Sequence, residues 1–361
     1  MLLNTRPELH AFADTVVNWQ QQHGRHHLPW QGTRDPYRIW LSEIMLQQTQ
    51  VATVIGYYQR FLARFPDIAS LAAASQEEVM PYWAGLGYYA RARNLHRCAQ
   101  TLCRDWGGAF PGNSADIATL PGIGRSTAAA IAAFAYGERS PIMDGNVKRV
   151  FTRYFGIEGV SSERATEQLL WRTAEEALAA APAKLDMAAY TQGLMDLGSQ
   201  RCTRGMPDCS PCPLRADCYA HAHARQGELP TPHKKKASPE RECKMLILTA
   251  EDAVLLERRP SPGIWGGLWS LPQYEDQQAL ATACANWGLS PASAQKMAGL
   301  VHVFSHFRLH IEPWYLRADA PIAAEPAPAQ AWIPVSDLPA TALPAPVKKI
   351  LDGLFAGSFL F

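Results

Sequence analysis

Leu120-Pro121-Gly122-Ile123-Gly124-Arg125-Ser126-Thr127 lies between a short helical stretch, Ala115 to Leu120, and an alanine-rich one, Arg125 to Tyr136. Gly122 and Gly124 permit a tight turn and leave backbone amides free at a helix N-terminus, a ready site for a phosphate. Alone, the pattern also fits an ordinary corner between two helices. Around it, from Leu9 to about Ala220, apolar residues recur three and four apart in helix-length segments broken by Pro or Gly, so this part reads as all-α. One helical pattern runs from about Tyr37 to Arg64 with a candidate break near Gln50, because Ile39, Trp40, Ile44, Val51, Ile55 and Tyr58 share a side.

Between Arg225 and Glu240 the periodicity stops, and Pro230, Pro232, Lys234-Lys235-Lys236 and Pro239 give the composition of a linker. Beyond it, Cys243 to Thr249, Ala253 to Glu257 and His302 to Tyr315 read as strands, and Gln277 to Trp287 as a helix. The Ala/Pro-rich stretch from Pro321 to Pro346 is expected to be an irregular surface excursion, followed by a last helix from Ala345 to Phe355. The final third is therefore a separate α+β domain.

The 361 residues suit two or three domains, and the net charge of +1 gives no whole-molecule attraction to a polyanion. An anionic partner must be gripped locally. The slight basic bias lies before the linker's end, with 25 basic and 22 acidic residues through Glu240 against 9 and 11 after it. A hydrophobic content of 47% with 19% charged residues is globular, and no apolar stretch approaches membrane-span length. Met1 to Arg6 shows no secretory h-region, so a cytoplasmic protein that does not engage membranes is expected.

Four of the eight cysteines crowd into Cys202-x6-Cys209-x2-Cys212-x5-Cys218, a clustering that favours metal ligation over disulfides. Four thiolates can surround tetrahedral zinc or a [4Fe-4S] cube. The uneven spacing, with a single short CxxC arm, fits the cube better, and its expected role is structural. Two carboxyls also stand out. Glu43 lies among apolar residues in Trp40-Leu41-Ser42-Glu43-Ile44-Met45-Leu46-Gln47-Gln48-Thr49-Gln50, where burial would raise its pKa and suit it to general-acid work. Asp144, in Met143-Asp144-Gly145-Asn146-Val147-Lys148-Arg149-Val150, is equally well placed to cap a helix. Two carboxyls are what cleavage of a glycosidic bond requires.

Together the hairpin LPGIGRST, the segment MDGNVKRV and the cysteine spacing resemble the endonuclease III superfamily of DNA glycosylases. Three features narrow the resemblance to its MutY branch, the adenine DNA glycosylases: SEIMLQQTQ, Ser126 in the hairpin, and a C-terminal domain carrying IWGGLWSLP and VFSHF. That family implies a helix-hairpin-helix glycosylase with an iron–sulfur subdomain and a Nudix-like C-terminal domain. On this chain it implies residues 1–225 as the catalytic region, with about 30–140 as a six-helix subdomain and 1–29 plus 141–225 as the cluster subdomain. Residues 226–240 would be the linker and 241–361 the 8-oxoguanine-recognition domain.

By the same resemblance Glu43 is the acid that protonates adenine N7, and Asp144 stabilises or captures the sugar cation. Asn146 supports the aspartate, and Cys202, Cys209, Cys212 and Cys218 hold one [4Fe-4S] cluster. Gln48 and Tyr88 enter the DNA stack, Gly122 and Gly124 grip a phosphate, and Phe304, Ser305 and His306 sense the oxidised base. The implied partner is double-stranded DNA with an A:8-oxoG or A:G mispair, bound by a monomer that sits on the nucleoid while at work.

Ser126 stands where strand-cutting relatives carry a Schiff-base lysine, so the resemblance implies base removal without strand cleavage. Some members have tyrosine where this chain has Ser126; Lys148 lies close to Asp144 in sequence and could trap the opened sugar. Arg91, Arg93, Arg97, Lys148, Arg149 and Arg153 are candidate phosphate contacts. Two other readings remain open on the residues: a bifunctional pyrimidine glycosylase of the endonuclease III kind, and a catalytically silent iron–sulfur DNA-binding protein. Nudix hydrolysis is disfavoured, because Gln273 to Pro291 offers only Glu275 and Asp276 for a metal.

Overall fold

The computed structural model describes residues 9–233, 238–322 and 329–355. The chain forms two compact units, Met1–Ala73 with Asn94–Lys234, and Ala74–Arg93 with Lys235–Phe361. In chain order the helices before residue 230 are α1 (Leu9–His23), α2 (Pro36–Leu46), α3 (Val51–Arg64), α4 (Ile68–Ala73), α5 (Gln76–Val79), α6 (Ala90–Asp105), α7 (Ser114–Ile117), α8 (Arg125–Tyr136), α9 (Gly145–Phe155), α10 (Arg164–Ala180), α11 (Met187–Asp196) and α12 (Tyr219–Ala222).

The first unit is helical around a core in which α1 packs on elements more than a hundred residues away. Phe12 sits 5.6 Å from Phe151 and 4.8 Å from Tyr154, ring centre to ring centre. Val16, Val147, Leu170 and Leu194 close the same core. Helix α8 owes its central place to its small side chains: Ala128 through Ala133 are all buried, which lets neighbouring helices approach closely. The pattern expected from Tyr37 to Arg64 is two helices, because residues 47–50 form a turn in which Gln48 takes a left-handed backbone at φ +55°. The helix expected at Ala115 to Leu120 is the single turn α7, capped by the Asn113 side chain.

The second unit carries an eight-stranded mixed sheet: β1 (Glu240–Ala250), β2 (Ala253–Arg258), β3 (Trp269–Ser270), β4 (Gln273–Tyr274), β5 (Gln295–Lys296), β6 (Leu300–Val303), β7 (Arg308–Ala318) and β8 (Gln330–Pro334), with helices α13 (Gln277–Asn286) and α14 (Ala345–Phe355). The main order is β3-β2-β1-β7-β5; β4 pairs β1, β6 pairs β7 and β8 pairs β2. Among the described residues only β1 and β7 run parallel, in register from Glu240 opposite Arg308 to Ala250 opposite Ala318. Met245 through Leu248 of β1 are fully buried, so this strand reads as a continuous apolar run rather than an alternating one. Leu280 and Cys284 of α13 cover one face over Leu246, Leu248, Leu255 and Leu316.

Two sequence expectations change here. The stretch from His302 to Tyr315 is two strands, because Phe304 N–H donates to Phe307 O at 2.9 Å and closes a turn between them. The stretch from Pro321 to Pro346 is not wholly irregular. Gln330 to Pro334 pair antiparallel with β2, giving Ala331, Trp332 and Ile333 backbone partners, and a 3-10 turn follows at Val335–Ala340. Residues 323–328 of that stretch lie outside the described residues.

Candidate active site

Glu43 lies on α2 and Asp144 immediately before α9. Asp144 is the helix cap: its Oδ1 accepts from Asn146 N at 2.9 Å and Val147 N at 2.7 Å, and Oδ2 accepts from Asn146 Nδ2 at 3.2 Å. The capping and chemical readings of this residue therefore coexist, since the cap fixes the carboxylate's direction. Burial raises the Asp144 pKa, against the opposing pull of those three donors and of Arg149. Burial and then the Asp144 charge push the Glu43 carboxyl up to about 8. The three donors and Arg149 favour the charged form of Asp144, while burial and that charge favour the protonated form of Glu43. A protonated acid beside a fixed carboxylate is the division of labour that glycosidic cleavage needs.

Ser126 is the second residue of α8, and its Oγ accepts from Met143 N at 2.9 Å. The hairpin hydroxyl thus holds the segment that delivers Asp144. Gly122, at φ +78°, is required by close approach as well as by backbone, because a Cβ there would stand 2.5 Å from the Cβ of Asn94. Gly124 is the N-cap of α8 and has ordinary φ, with open space around it. The close fit continues behind Asn146, where a Cβ on Gly198 would come within 2.9 Å of the Asn146 backbone.

A cavity of about 430 Å³ opens beside Glu43, with Arg25, His26, Trp30, Gln31, Ser42 and Gln192 in its wall. Sequence reading missed all of these except through Glu43 itself. Arg25 Nε donates to Asp196 Oδ1 at 2.6 Å and Gln192 Nε2 to the same oxygen at 2.9 Å, while Asp196 is fully buried. Arg25 and Asp196 are 171 residues apart, so no local pattern could pair them. Only the four-residue step between Gln192 and Asp196, one turn of α11, carries a local signal.

The four cysteines of the cluster segment are free thiols, half-buried, and electrostatically within reach of one another. Burial, with the three neighbouring sulfurs adding to it, pushes Cys212 up to about 11. Cys202, Cys212 and Cys218 pack against the helical core, and Arg153 Nη1 reaches Cys202 Sγ at 3.3 Å. Among the described residues no three His, Cys, Asp or Glu side chains stand in an arrangement for a single metal ion. The donor chemistry, four soft thiols on one short segment with an arginine at Cys202, is of the kind that holds a thiolate-bound cluster.

Several expected phosphate contacts are committed elsewhere. Arg153 is only 3% exposed and donates to Leu229 O and Thr203 O, so it belongs to the interior. Arg149 donates to Cys202 O, Gly198 O and Asn146 Oδ1, and Lys148 pairs with Glu167 at 3.1 Å. Lys148 is thereby held to a carboxylate rather than left free.

Gln48 and Tyr88 are both exposed and both left-handed, at φ +55° and +49°. Non-glycine residues rarely adopt that backbone; Gln48 takes it in the turn between α2 and α3, and Tyr88 just before α6. In the sheet unit, Phe304, Ser305 and His306 form the β6–β7 turn. Phe304 stacks on Phe307 at 4.4 Å and rests 5.5 Å from Trp265, while Ser305 and His306 are exposed. Helix α13 contains no acidic residue, and Asp276 before it caps its N-terminus through Ala279 N.

Residues 41–176 match the family of HhH-GPD superfamily base excision DNA repair proteins, and residues 243–353 match the NUDIX domain family. An adenine DNA glycosylase of Buchnera aphidicola is 34% identical over 346 residues, 95% of this chain and 97% of its own length. The chain belongs to the adenine DNA glycosylase family. The human adenine DNA glycosylase is 32% identical, over 95% of this chain and 74% of its own. A solved thermostable thymine-DNA glycosylase aligns with a TM-score of 0.53 at 29% identity, over 59% of this chain and 96% of that one. The first family match contains Glu43, Ser126 and Asp144, and the second contains the Phe304 turn. As in its family, this chain is a DNA N-glycosylase of base excision repair with an HhH-GPD helical part and a Nudix-like α/β part. No described helix is long and apolar enough to cross a membrane.

Proposed function

We propose that this chain removes adenine mispaired with 8-oxoguanine or guanine in double-stranded DNA and leaves an apurinic site without cutting the strand. The observation that carries this reading is the pair formed by a protonated Glu43 and a capped Asp144, beside a cavity of about 430 Å³. Stacked adenine cannot be reached, so the nucleotide is first rotated out of the duplex. Glu43 then donates its proton to adenine N7, and the glycosidic electron pair leaves with the base. Asp144 stabilises the resulting sugar cation or closes on it as a transient ester, and water adds at C1′, losing a proton to restore the starting groups.

Ser126 supports the monofunctional outcome, because a hydroxyl holding Met143 N cannot form an imine with the sugar. Cys202, Cys209, Cys212 and Cys218 would hold one [4Fe-4S] cluster, whose contribution is to cross-link the loop they span. Gln48 and Tyr88 fill the stack that the adenine vacates. Amides at Gly122 and Gly124 hold a phosphate, and Ser305, steadied by Phe304 and His306, reads the base opposite. Residues 1–225 do the chemistry and 241–361 the reading, with 226–240 between them, in a cytoplasmic monomer working on the nucleoid.

The test is one end-labelled duplex with a single adenine opposite 8-oxoguanine, incubated with protein and divided into samples with and without alkali. Scission at the adenine only after alkali is expected. Scission without alkali contradicts the monofunctional reading, and no product from protein that binds the duplex contradicts the glycosylase reading itself.

A further inference from the structure

We infer that His26 is a specificity residue of the cavity beside Glu43: its Nδ1 accepts a hydrogen bond from the 6-amino group of the extruded base. The inference rests on the glycosylase reading and adds to it how adenine is told from other purines. Its ground is the hydrogen-bond bookkeeping of the cavity wall. His26 Nε2 lies 3.0 Å from Gln20 O, and a carbonyl only accepts, so Nε2 carries the proton and the lone pair of a neutral ring is on Nδ1.

Three neighbouring polar residues in the wall are already engaged. Gln31 is committed at both ends, its Oε1 accepting from Leu28 N at 3.1 Å and its Nε2 donating to Arg25 O at 2.9 Å. Arg25 is turned to Asp196, and Ser42 donates to Ile39 O at 2.8 Å. Nδ1 of His26 has no partner among the described residues, and the residue stands exposed at the cavity wall. A base inside the cavity thus meets a proton donor in Glu43 for a ring nitrogen and an acceptor in His26 for an exocyclic amine. Adenine satisfies both. A purine with a carbonyl at position 6 sets acceptor against acceptor, which leaves both unpaired.

The experiment measures single-turnover excision from duplexes carrying either adenine or unsubstituted purine, which lacks the 6-amino group, opposite 8-oxoguanine. Wild-type protein is compared with His26→Phe, which has no acceptor, and His26→Asn, whose side-chain oxygen can replace one. His26→Phe should slow adenine excision roughly five- to tenfold, the worth of one hydrogen bond, and change purine excision less than about twofold. His26→Asn should recover most of the adenine rate. Equal slowing on both substrates, or no slowing on adenine, would overturn the inference. Wild-type protein that leaves both duplexes intact would overturn the glycosylase reading and this inference with it, a result unlike any change confined to the variants.

Discussion

The carboxyls of the sheet unit and the Glu43–Asp144 pair of the helical unit are treated in opposite ways, whereas Asp196 of the helical unit is given a cation, Arg25. In the sheet unit, Glu257 is 9% exposed, and although burial raises its pKa, Arg259 sits beside it with Nη1 at 2.8 Å. Glu312 is also given cations: burial would raise it, but hydrogen bonds from Lys296, Lys244 and Trp314 bring it down to about 2. In the helical unit, the charge beside Glu43 is another carboxylate, Asp144, and it adds to the rise that burial causes. A buried acid with a cation is a structural solution, whereas a buried acid next to a second acid costs stability and is kept where its proton is used.

The contrast breaks first at the helical pair. Glu43→Gln should reduce adenine excision by about a thousandfold, within the usual contribution of a general acid, as measured in single-turnover assays. Asp144→Asn should do comparable damage while leaving thermal stability nearly unchanged, because asparagine caps helices as well as aspartate does. Loss of stability equal to the loss of activity would make Asp144 a cap and nothing more. Arg259→Met should show the reverse behaviour: about 3 kcal/mol of stability lost in denaturant unfolding, since Glu257 is left buried without its cation, with excision chemistry by the folded protein retained.

Cys212→Ser should lower iron content and DNA affinity together, read by iron analysis and a salt series of binding isotherms. Full loss of iron with unchanged affinity would remove the cluster from DNA binding. The smallest effect belongs to the exposed turn of the sheet unit. Ser305→Ala should narrow the preference for 8-oxoguanine over guanine opposite adenine by about fivefold, the worth of one hydrogen bond, and leave A:G excision unchanged. A uniform fall on both mispairs would assign Ser305 to general binding.

What could be read in the sequence followed from how local each signal is. Helix α8 and the last helix, α14, are found at their sequence-derived limits, because periodicity and flanking Gly or Pro act over a few residues. The Asp144 cap was legible for the same reason. Strand β8 was hidden in an Ala/Pro-rich stretch because its partner, β2, lies some eighty residues earlier and only pairing makes it a strand. The cavity wall was hidden more deeply still, since Arg25 and Gln192 meet through a buried Asp196 that looks like any other helical aspartate. Arg153 misled in the other direction: a basic residue near a DNA motif proved to be interior, satisfied by Leu229 O and Thr203 O.

The account turns on which carboxyl holds the proton, and pH reports that directly. Folding raises Glu43, so the native protein holds a proton that the unfolded chain has released; stability should fall as pH climbs from the ordinary carboxyl range through about 8, and Glu43→Gln should make that fall smaller, leaving the share of Asp144, whose pKa is also raised. The rate of adenine removal under single-turnover conditions, measured from pH 6 to pH 9.5 with DNA saturating, should decline through a single ionisation near 8 as Glu43 loses its proton. A rate that stays level or rises across that range would contradict Glu43 as the acid.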